Sequence, residues 1–95
     1  MFDLRRSPEV QGWFSALRDQ QAYDRIVLRL ARMRAGHFGD VKFFDGLGEL
    51  RIDTGPGYRV YFVQRGQTII FLLCGGDKST QNRDTTRAKS LAQEV

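Results

Sequence analysis

Two arginines in the second half of the chain are the first candidates for chemistry. Arg51 and Arg59 lie in two alternating stretches, Leu47–Asp53 and Tyr58–Gln64, which predict consecutive strands joined by a turn at Thr54–Gly57. Side chains alternate between the two faces along a strand. Both arginines therefore project from the same face of the sheet if the loop between the two paired strands has an odd number of residues. A guanidinium group binds phosphate oxygens in pairs. The spacing therefore predicts an anion-binding pair on adjacent strands.

A glycine-rich segment supplies a third basic group. Gly75–Ser79 lies between a predicted strand and a predicted helix, an order that can present backbone N–H groups and Lys78 to a phosphate. A nucleotide-binding P-loop needs glycine directly before its lysine, and Asp77 stands there instead. The segment therefore excludes an NTPase loop but still offers Lys78 to a single phosphate.

The strands predict a sheet with two unlike faces. We expect a two-residue turn at Arg65-Gly66, which pairs Gln64 with Gln67. One face is then apolar and lies beneath the first two helices; it comprises Leu50, Ile52, Val60, Phe62, Ile69, Phe71 and Leu73. The other face mixes charged and apolar residues; it comprises Glu49, Arg51, Asp53, Arg59, Tyr61, Val63, Ile70, Leu72 and Cys74.

Two interpretations of the mixed face are open at this point. Two arginines and a tyrosine on a partly apolar platform are typical of a surface that binds phosphate and base, or a partner protein. Alternatively, the C-terminal helix covers Ile70 and Leu72 while Arg51 forms an ion pair with Glu49 or Asp53.

Composition restricts the class of protein. The 95 residues, 41% hydrophobic and 27% charged, are typical of one cytoplasmic globular domain. One cysteine and one histidine exclude a disulfide framework and a multi-cysteine zinc site, and no metal is expected. The longest apolar run, 68–74, is too short to span a bilayer. A net charge of +4 favours polyanions or acidic proteins as partners, and a GC-rich genome is the alternative explanation for the many arginines.

Helices are predicted before and after the strands. Ser7–Glu9 combines an N-capping serine, a proline at the first helical position and an acid in the first turn. A second helix is predicted over 21–34, with Arg25, Arg29 and Arg32 as a stripe on its solvated side.

The order of elements predicts an α+β fold class. Two N-terminal helices pack on a small antiparallel (mixed-edge) sheet of about four strands, and a closing C-terminal helix follows over 78–94. Ala88, Leu91 and Ala92 face inward from that last helix. The predicted strands are 40–44, 47–53, 58–64 and 67–74.

Three segments together resemble the RelE/ParE toxin superfamily. They are Glu49–Ile52, Gly57–Phe62 and Leu72–Gln81, and the resemblance extends over nearly the whole chain. It is greatest to the HigB-like branch, the addiction module killer proteins related to phage proteins. The resemblance implies one RelE-like toxin domain over residues 1–95, with an architecture that is similar to microbial ribonucleases in outline.

The resemblance also implies a function. Members are toxins of type II toxin–antitoxin modules, and many inhibit translation as ribosome-dependent mRNA endonucleases. By matched position, Arg51, Arg59 and Lys78 are the expected catalytic residues. The expected RNA-binding residues are Tyr61, Gln81, Arg83 and Arg87. The expected partners are a cognate helix-turn-helix antitoxin, the ribosome and mRNA, without a membrane or a small-molecule cofactor.

One departure from the superfamily keeps alternatives open. Several of its active nucleases carry a tyrosine or histidine on or near the C-terminal segment, and here neither residue follows Tyr61. Either ribosomal RNA assists the reaction or the chain is not a nuclease. The alternatives are a ParE-like inhibitor of DNA gyrase and a non-toxic regulatory partner of its antitoxin.

Overall fold

A computed structural model describes all 95 residues of the protein. Five strands form one sheet in the order β1-β5-β4-β3-β2, and three α-helices pack on its two faces. The elements are β1 (Asp3–Arg6), α1 (Pro8–Ser15), α2 (Gln20–Arg34), β2 (Val41–Phe44), β3 (Leu47–Ile52), β4 (Tyr58–Arg65), β5 (Ile69–Asp77) and α3 (Gln81–Ala92), with a 3₁₀ turn at Lys78–Thr80. None of the helices is long and apolar enough to cross a membrane.

The two N-terminal helices begin at side-chain caps. The Ser7 hydroxyl accepts a hydrogen bond from the Val10 amide, and Pro8 opens α1 as predicted. The Asp19 carboxylate accepts from the first-turn amides of α2. At the other end of α2, Gly36 has a φ of +95°, which only glycine adopts at little cost.

The α+β fold class is confirmed, with five strands instead of about four. The additional strand, β1, lies at the edge of the sheet and runs parallel to β5, whereas all other neighbours are antiparallel. Three of its four residues, Asp3, Arg5 and Arg6, are charged and exposed. A short, polar strand of this kind has no hydrophobic alternation by which a sequence reveals it.

The predicted register between β4 and β5 was wrong. The connection contains three residues, 66–68, so Arg65 pairs with Ile69. The apolar face beneath α1 and α2 therefore receives Ile70 and Leu72 instead of the predicted Ile69, Phe71 and Leu73. Leu73 forms a β-bulge, because Phe62 pairs with Leu72 while Tyr61 pairs with Cys74.

The sheet separates two apolar clusters. The first lies between the sheet and the helices α1 and α2; it contains Val10, Phe14, Ile26, Leu30, Met33, Leu50, Ile52, Val60, Phe62, Ile70 and Leu72. The second lies beneath α3 and includes the three residues predicted to face inward; it contains Leu47, Tyr61, Val63, Leu73, Cys74, Ala88, Leu91 and Ala92. Helices therefore cover both faces of the sheet.

Arg29 differs from the other arginines of the predicted solvated stripe. Its guanidinium donates hydrogen bonds to the main-chain carbonyls of Phe38, Asp40 and Arg51, and so joins α2 to β3 and to the segment before β2. Burial lowers the pKa of this guanidinium. Arg25 and Arg32 are exposed, as predicted.

The two glycines at the end of β5 make room for side chains on opposite faces of the sheet. A Cβ on Gly75 would lie 2.3 Å from the Trp13 ring, and a Cβ on Gly76 would lie 1.8 Å from an Asp84 carboxylate oxygen. Both glycines belong to the strand. They serve close packing and do not form a phosphate-binding loop.

Gly76→Ala is therefore expected to lower the free energy of unfolding by about 1–3 kcal/mol, because Asp84 and Thr80 must move to accommodate a methyl group. Urea denaturation measures the change. Gly12→Ala is the matched control: no atom lies within 4 Å of a Cβ placed there, within α1, so stability should stay equal or rise slightly. A Gly76 variant as stable as the Gly12 variant would contradict this packing.

Candidate functional site

The two arginines predicted to act together do lie together. In the antiparallel pair β3–β4, Arg51 is directly opposite Arg59, and Glu49 is directly opposite Tyr61. All four side chains belong to one face of the sheet, because residues two apart on a strand point the same way. The faces predicted for the side chains of β3 and β4 are confirmed, whereas the faces predicted for the first part of β5 were wrong.

A buried carboxylate stands between the arginines. The Glu49 side chain is 1% exposed, and one of its oxygens accepts a hydrogen bond from Arg51 Nε at 2.9 Å and lies 4.0 Å from Arg59 Nη1. The other oxygen accepts from Gln81 Nε2 at 3.1 Å. We name Glu49, Arg51, Arg59 and Gln81 the Glu49 cluster. The predicted site contained the other three members but not Glu49.

The cluster carries a net positive charge. Two guanidinium groups share one carboxylate, so one positive charge is left without an anion. The hydrogen bond to Glu49 raises the pKa of Arg51, which stays charged at any physiological pH. The Arg51 side chain is 35% exposed and that of Arg59 is 13% exposed. Arg51 is therefore the member of the pair that an external anion reaches first.

The face that carries the cluster is not open, which corrects one expectation. Helix α3 covers Tyr61, Val63 and Cys74, and only the part of the face beside the first turn of α3 reaches the surface. The second interpretation left open above was partly right: Arg51 pairs with Glu49, but α3 lies over Val63 and Cys74 and not over Ile70 and Leu72.

Tyr61 is buried and lacks a hydrogen-bond partner for its phenol oxygen. The neighbouring Thr85 hydroxyl donates instead to the Gln81 carbonyl at 2.8 Å. Burial raises the pKa of Tyr61 to about 12. The phenol therefore cannot contact RNA without movement of α3, contrary to its predicted role. Arg59 Nε is likewise buried without a partner.

Lys78 lies at the rim of the site. It follows Asp77, which pairs with Tyr58, and a Cβ on Gly57 would lie 3.7 Å from the Lys78 Cβ. The Asp77 carboxylate caps the 3₁₀ turn, and its hydrogen bonds from Ser79 lower the pKa of Asp77. Lys78 itself is exposed and has no ion-pair partner. A groove of about 440 Å³ lined only by the polar residues 78–83 begins here.

Arg83 and Arg87 lie outside the Glu49 cluster. Arg83 contacts the buried Asp84 at 3.5 Å. Arg87 forms an ion pair with Glu9 at 2.8 Å, which joins α3 to α1, and this hydrogen-bonded contact raises the pKa of Arg87. Of the two, only Arg83 lines the groove that begins at Lys78.

The site offers cations for an anion, and the other polar groups near it are either hydrogen-bonded, buried or distant. Both Glu49 oxygens are hydrogen-bonded, and burial raises the pKa of the Cys74 thiol to about 12. His37, the one histidine, is exposed in the connection before β2. No group of three His, Cys, Asp or Glu side chains is arranged to hold a metal ion. The arrangement can bind phosphate and stabilise negative charge.

Comparison with known proteins identifies the family. The model of the family described as Phage derived protein Gp49-like (DUF891) matches residues 13–94, which include the whole Glu49 cluster. The chain belongs to this family. An uncharacterized protein of Haemophilus influenzae is 50% identical over 85 residues, which are 88% of this chain and 86% of that protein. No solved structure matches the chain.

For this Gp49-like protein, Glu49→Gln is expected to lower the free energy of unfolding by about 1–3 kcal/mol, because two facing guanidinium groups lose their common anion. The loss stays below that of a fully buried pair because Arg51 reaches solvent. Urea denaturation at pH 7 measures it. Asp3→Asn, which breaks an exposed ion pair with Arg5, is the control and should cost below about 1 kcal/mol. Equal losses would contradict a central role for Glu49.

The Tyr61 phenol is expected to ionise at a higher pH than an ordinary tyrosine. Its pKa is about 12 in the folded Gp49-like protein and about 10 in an unfolded chain, so the stabilising contribution of the protonated phenol is lost as the pH rises through this interval. Absorbance at 295 nm should show one phenol ionising late or only on unfolding. Tyr61→Phe should remove that component alone; three phenols ionising together near pH 10 in the folded protein would contradict the burial.

Proposed function

We propose that this Gp49-like protein is a toxin of the RelE/ParE superfamily, close to the HigB branch, that inhibits translation by cleaving mRNA on the ribosome. The observation that carries the proposal is the pairing of Arg51 with Arg59 across adjacent strands. Lys78 lies two residues after Gly76, which pairs with Arg59 between β5 and β4. Two arginines on neighbouring strands and a lysine just beyond the end of β5 are suited to a phosphate group of RNA.

The reaction is attack of an RNA 2′-hydroxyl on the adjacent phosphate. The 2′-oxygen gives up its proton and bonds to phosphorus, the bond from phosphorus to the 5′-oxygen breaks, and the 5′-oxygen takes up a proton. The products are a 2′,3′-cyclic phosphate and a 5′-hydroxyl. The intermediate with five oxygens around phosphorus carries extra negative charge, and fixed cations lower its energy.

In the proposed mechanism the chain supplies charge and orientation. Arg51 and Arg59 bind the nonbridging oxygens, and Lys78 stabilises the leaving oxygen. Glu49 holds the two arginines in place before RNA binds, and Gln81 in turn donates a hydrogen bond to Glu49. The cations therefore need no reorganisation during the reaction. Proton transfer is assigned to the ribosome-bound mRNA and ribosomal RNA, which also hold the 2′-oxygen in line with the phosphate.

The same proposal includes the partners and the compartment. A type II toxin acts in the cytoplasm on ribosomes and mRNA and is neutralised by a cognate antitoxin, for which a small helix-turn-helix protein is expected. The net charge of +4 fits association with polyanionic RNA as well as with an acidic protein.

A second candidate function is inhibition of DNA gyrase in the manner of ParE, without chemistry. The burial of Tyr61 favours it, since this phenol holds its proton to a pH of about 12 and no tyrosine or histidine follows it in the sequence. In this case Arg51 and Lys78 would bind a protein or DNA surface and no bond would break.

Toe-printing on translating ribosomes tests the first candidate. Wild-type protein should cut mRNA in the ribosomal A site, and Arg51→Ala or Arg59→Ala should each slow cleavage by about 100- to 1,000-fold, the usual effect of losing one donor to a developing negative charge. Arg5→Ala is the control, because Arg5 lies on β1, where it pairs with Asp3 and lies over the Phe71 ring, away from the Glu49 cluster. Urea denaturation verifies that each variant folds.

The outcomes separate the candidates. Full growth arrest by folded Arg51→Ala and Arg59→Ala variants would contradict the proposed site. Intact mRNA together with loss of DNA supercoiling by gyrase would favour the second candidate. Harmless overexpression without any antitoxin would overturn both.

A further inference from the structure

Helix α2 carries most of the net charge of the protein. Its four arginines and one aspartate contribute three of the four net positive charges. Arg29 binds main-chain carbonyls, but Arg25, Arg32 and Arg34 have no carboxylate within ion-pair distance. The helix dipole accounts for Arg32 and Arg34 in the last turn of α2. It does not account for Arg25 in the first half.

Aliphatic side chains are exposed between these arginines. Val27 is 42% exposed and Leu28 is 49% exposed, and the other exposed large hydrophobic residues are Phe43 and the two terminal residues. A groove flanks each side of the helix, of about 430 Å³ towards β1 and about 410 Å³ towards β3. We name this ridge the α2 surface; it comprises Arg25, Val27, Leu28, Ala31, Arg32 and Arg34.

The chemistry of the α2 surface selects one class of occupant. A second copy of the chain would bring arginines against arginines. A nucleic acid would pair with the arginines but gain nothing from Val27 and Leu28. An amphipathic protein segment with acidic flanks satisfies both features, since its apolar residues can cover Val27 and Leu28 and enter the largely apolar groove towards β1, while its carboxylates reach the arginines that line the groove towards β3.

We propose that the α2 surface binds an acidic amphipathic segment of a partner protein. Its apolar side chains cover Val27 and Leu28, and its carboxylates pair with Arg25, Arg32 and Arg34. The identity of the partner as the neutralising antitoxin rests on the proposed function. Because α2 packs on the sheet face opposite the Glu49 cluster, this partner neutralises the toxin by blocking its approach to the ribosome while leaving the cluster uncovered.

The test uses the purified product of the reading frame adjacent to the gene as its probe. Isothermal titration calorimetry measures its affinity for the full chain, for Leu28→Ser and for Arg25→Glu/Arg32→Glu. Each variant should bind at least about tenfold more weakly, the usual effect of losing a central contact. Lys42→Glu/Lys89→Glu makes the same change in charge at exposed residues of β2 and α3, and its affinity should stay within about twofold of wild type although it also breaks the exposed Lys89–Asp45 ion pair.

Growth arrest is the second measurement. The α2 variants should still arrest growth when expressed alone and should resist neutralisation by the co-expressed probe. Wild-type affinity of both variants, or no binding of the probe to the wild-type chain, would overturn the proposal. Loss of arrest with unchanged probe affinity would also overturn it and assign the α2 surface to ribosomal RNA. If the wild-type chain arrests nothing but the variants bind the probe weakly, the proposed function fails and the α2 surface stands.

Discussion

Two guanidinium groups that face each other across neighbouring strands repel, and the carboxylate of Glu49 makes their arrangement stable. This carboxylate is almost fully buried, so its own desolvation must be offset by the hydrogen bonds from Arg51 and Gln81 and by the charge of Arg59. Gln81 is the first residue of α3. The start of α3, the pairing of β3 with β4 and the arrangement of the two arginines therefore depend on one another.

The sequence contained enough information for the local structure and for three of the four members of the Glu49 cluster. The cap at Ser7 and the apolar spacing of α2 are local signals, and they predicted both helices closely. Alternation in β3 and β4 placed Arg51 and Arg59 on one face because the two strands pair without irregularity at these positions. Lys78 also lies where the order of elements placed it, at the end of β5 beside the β3–β4 connection.

The remaining features depend on geometry that the sequence does not reveal. One additional residue in the turn after Arg65 moves the side chains in the first part of β5 to the face opposite to the predicted one. The bulge at Leu73 then returns Cys74 to its predicted face. This pair of irregularities decides which residues α3 covers. The sequence offered Glu49 as a partner of Arg51 but not its burial, which depends on the first turn of α3 lying beside it.

The three hydrogen bonds of Arg29 connect helix α2 to β3, the strand that carries Glu49 and Arg51, and to the segment before β2. One of them goes to the carbonyl oxygen of Arg51. The backbone of a residue whose side chain lies in the Glu49 cluster is therefore hydrogen-bonded to a helix on the opposite side of the sheet. Lysine, with one nitrogen at its tip, could not span the same three acceptors.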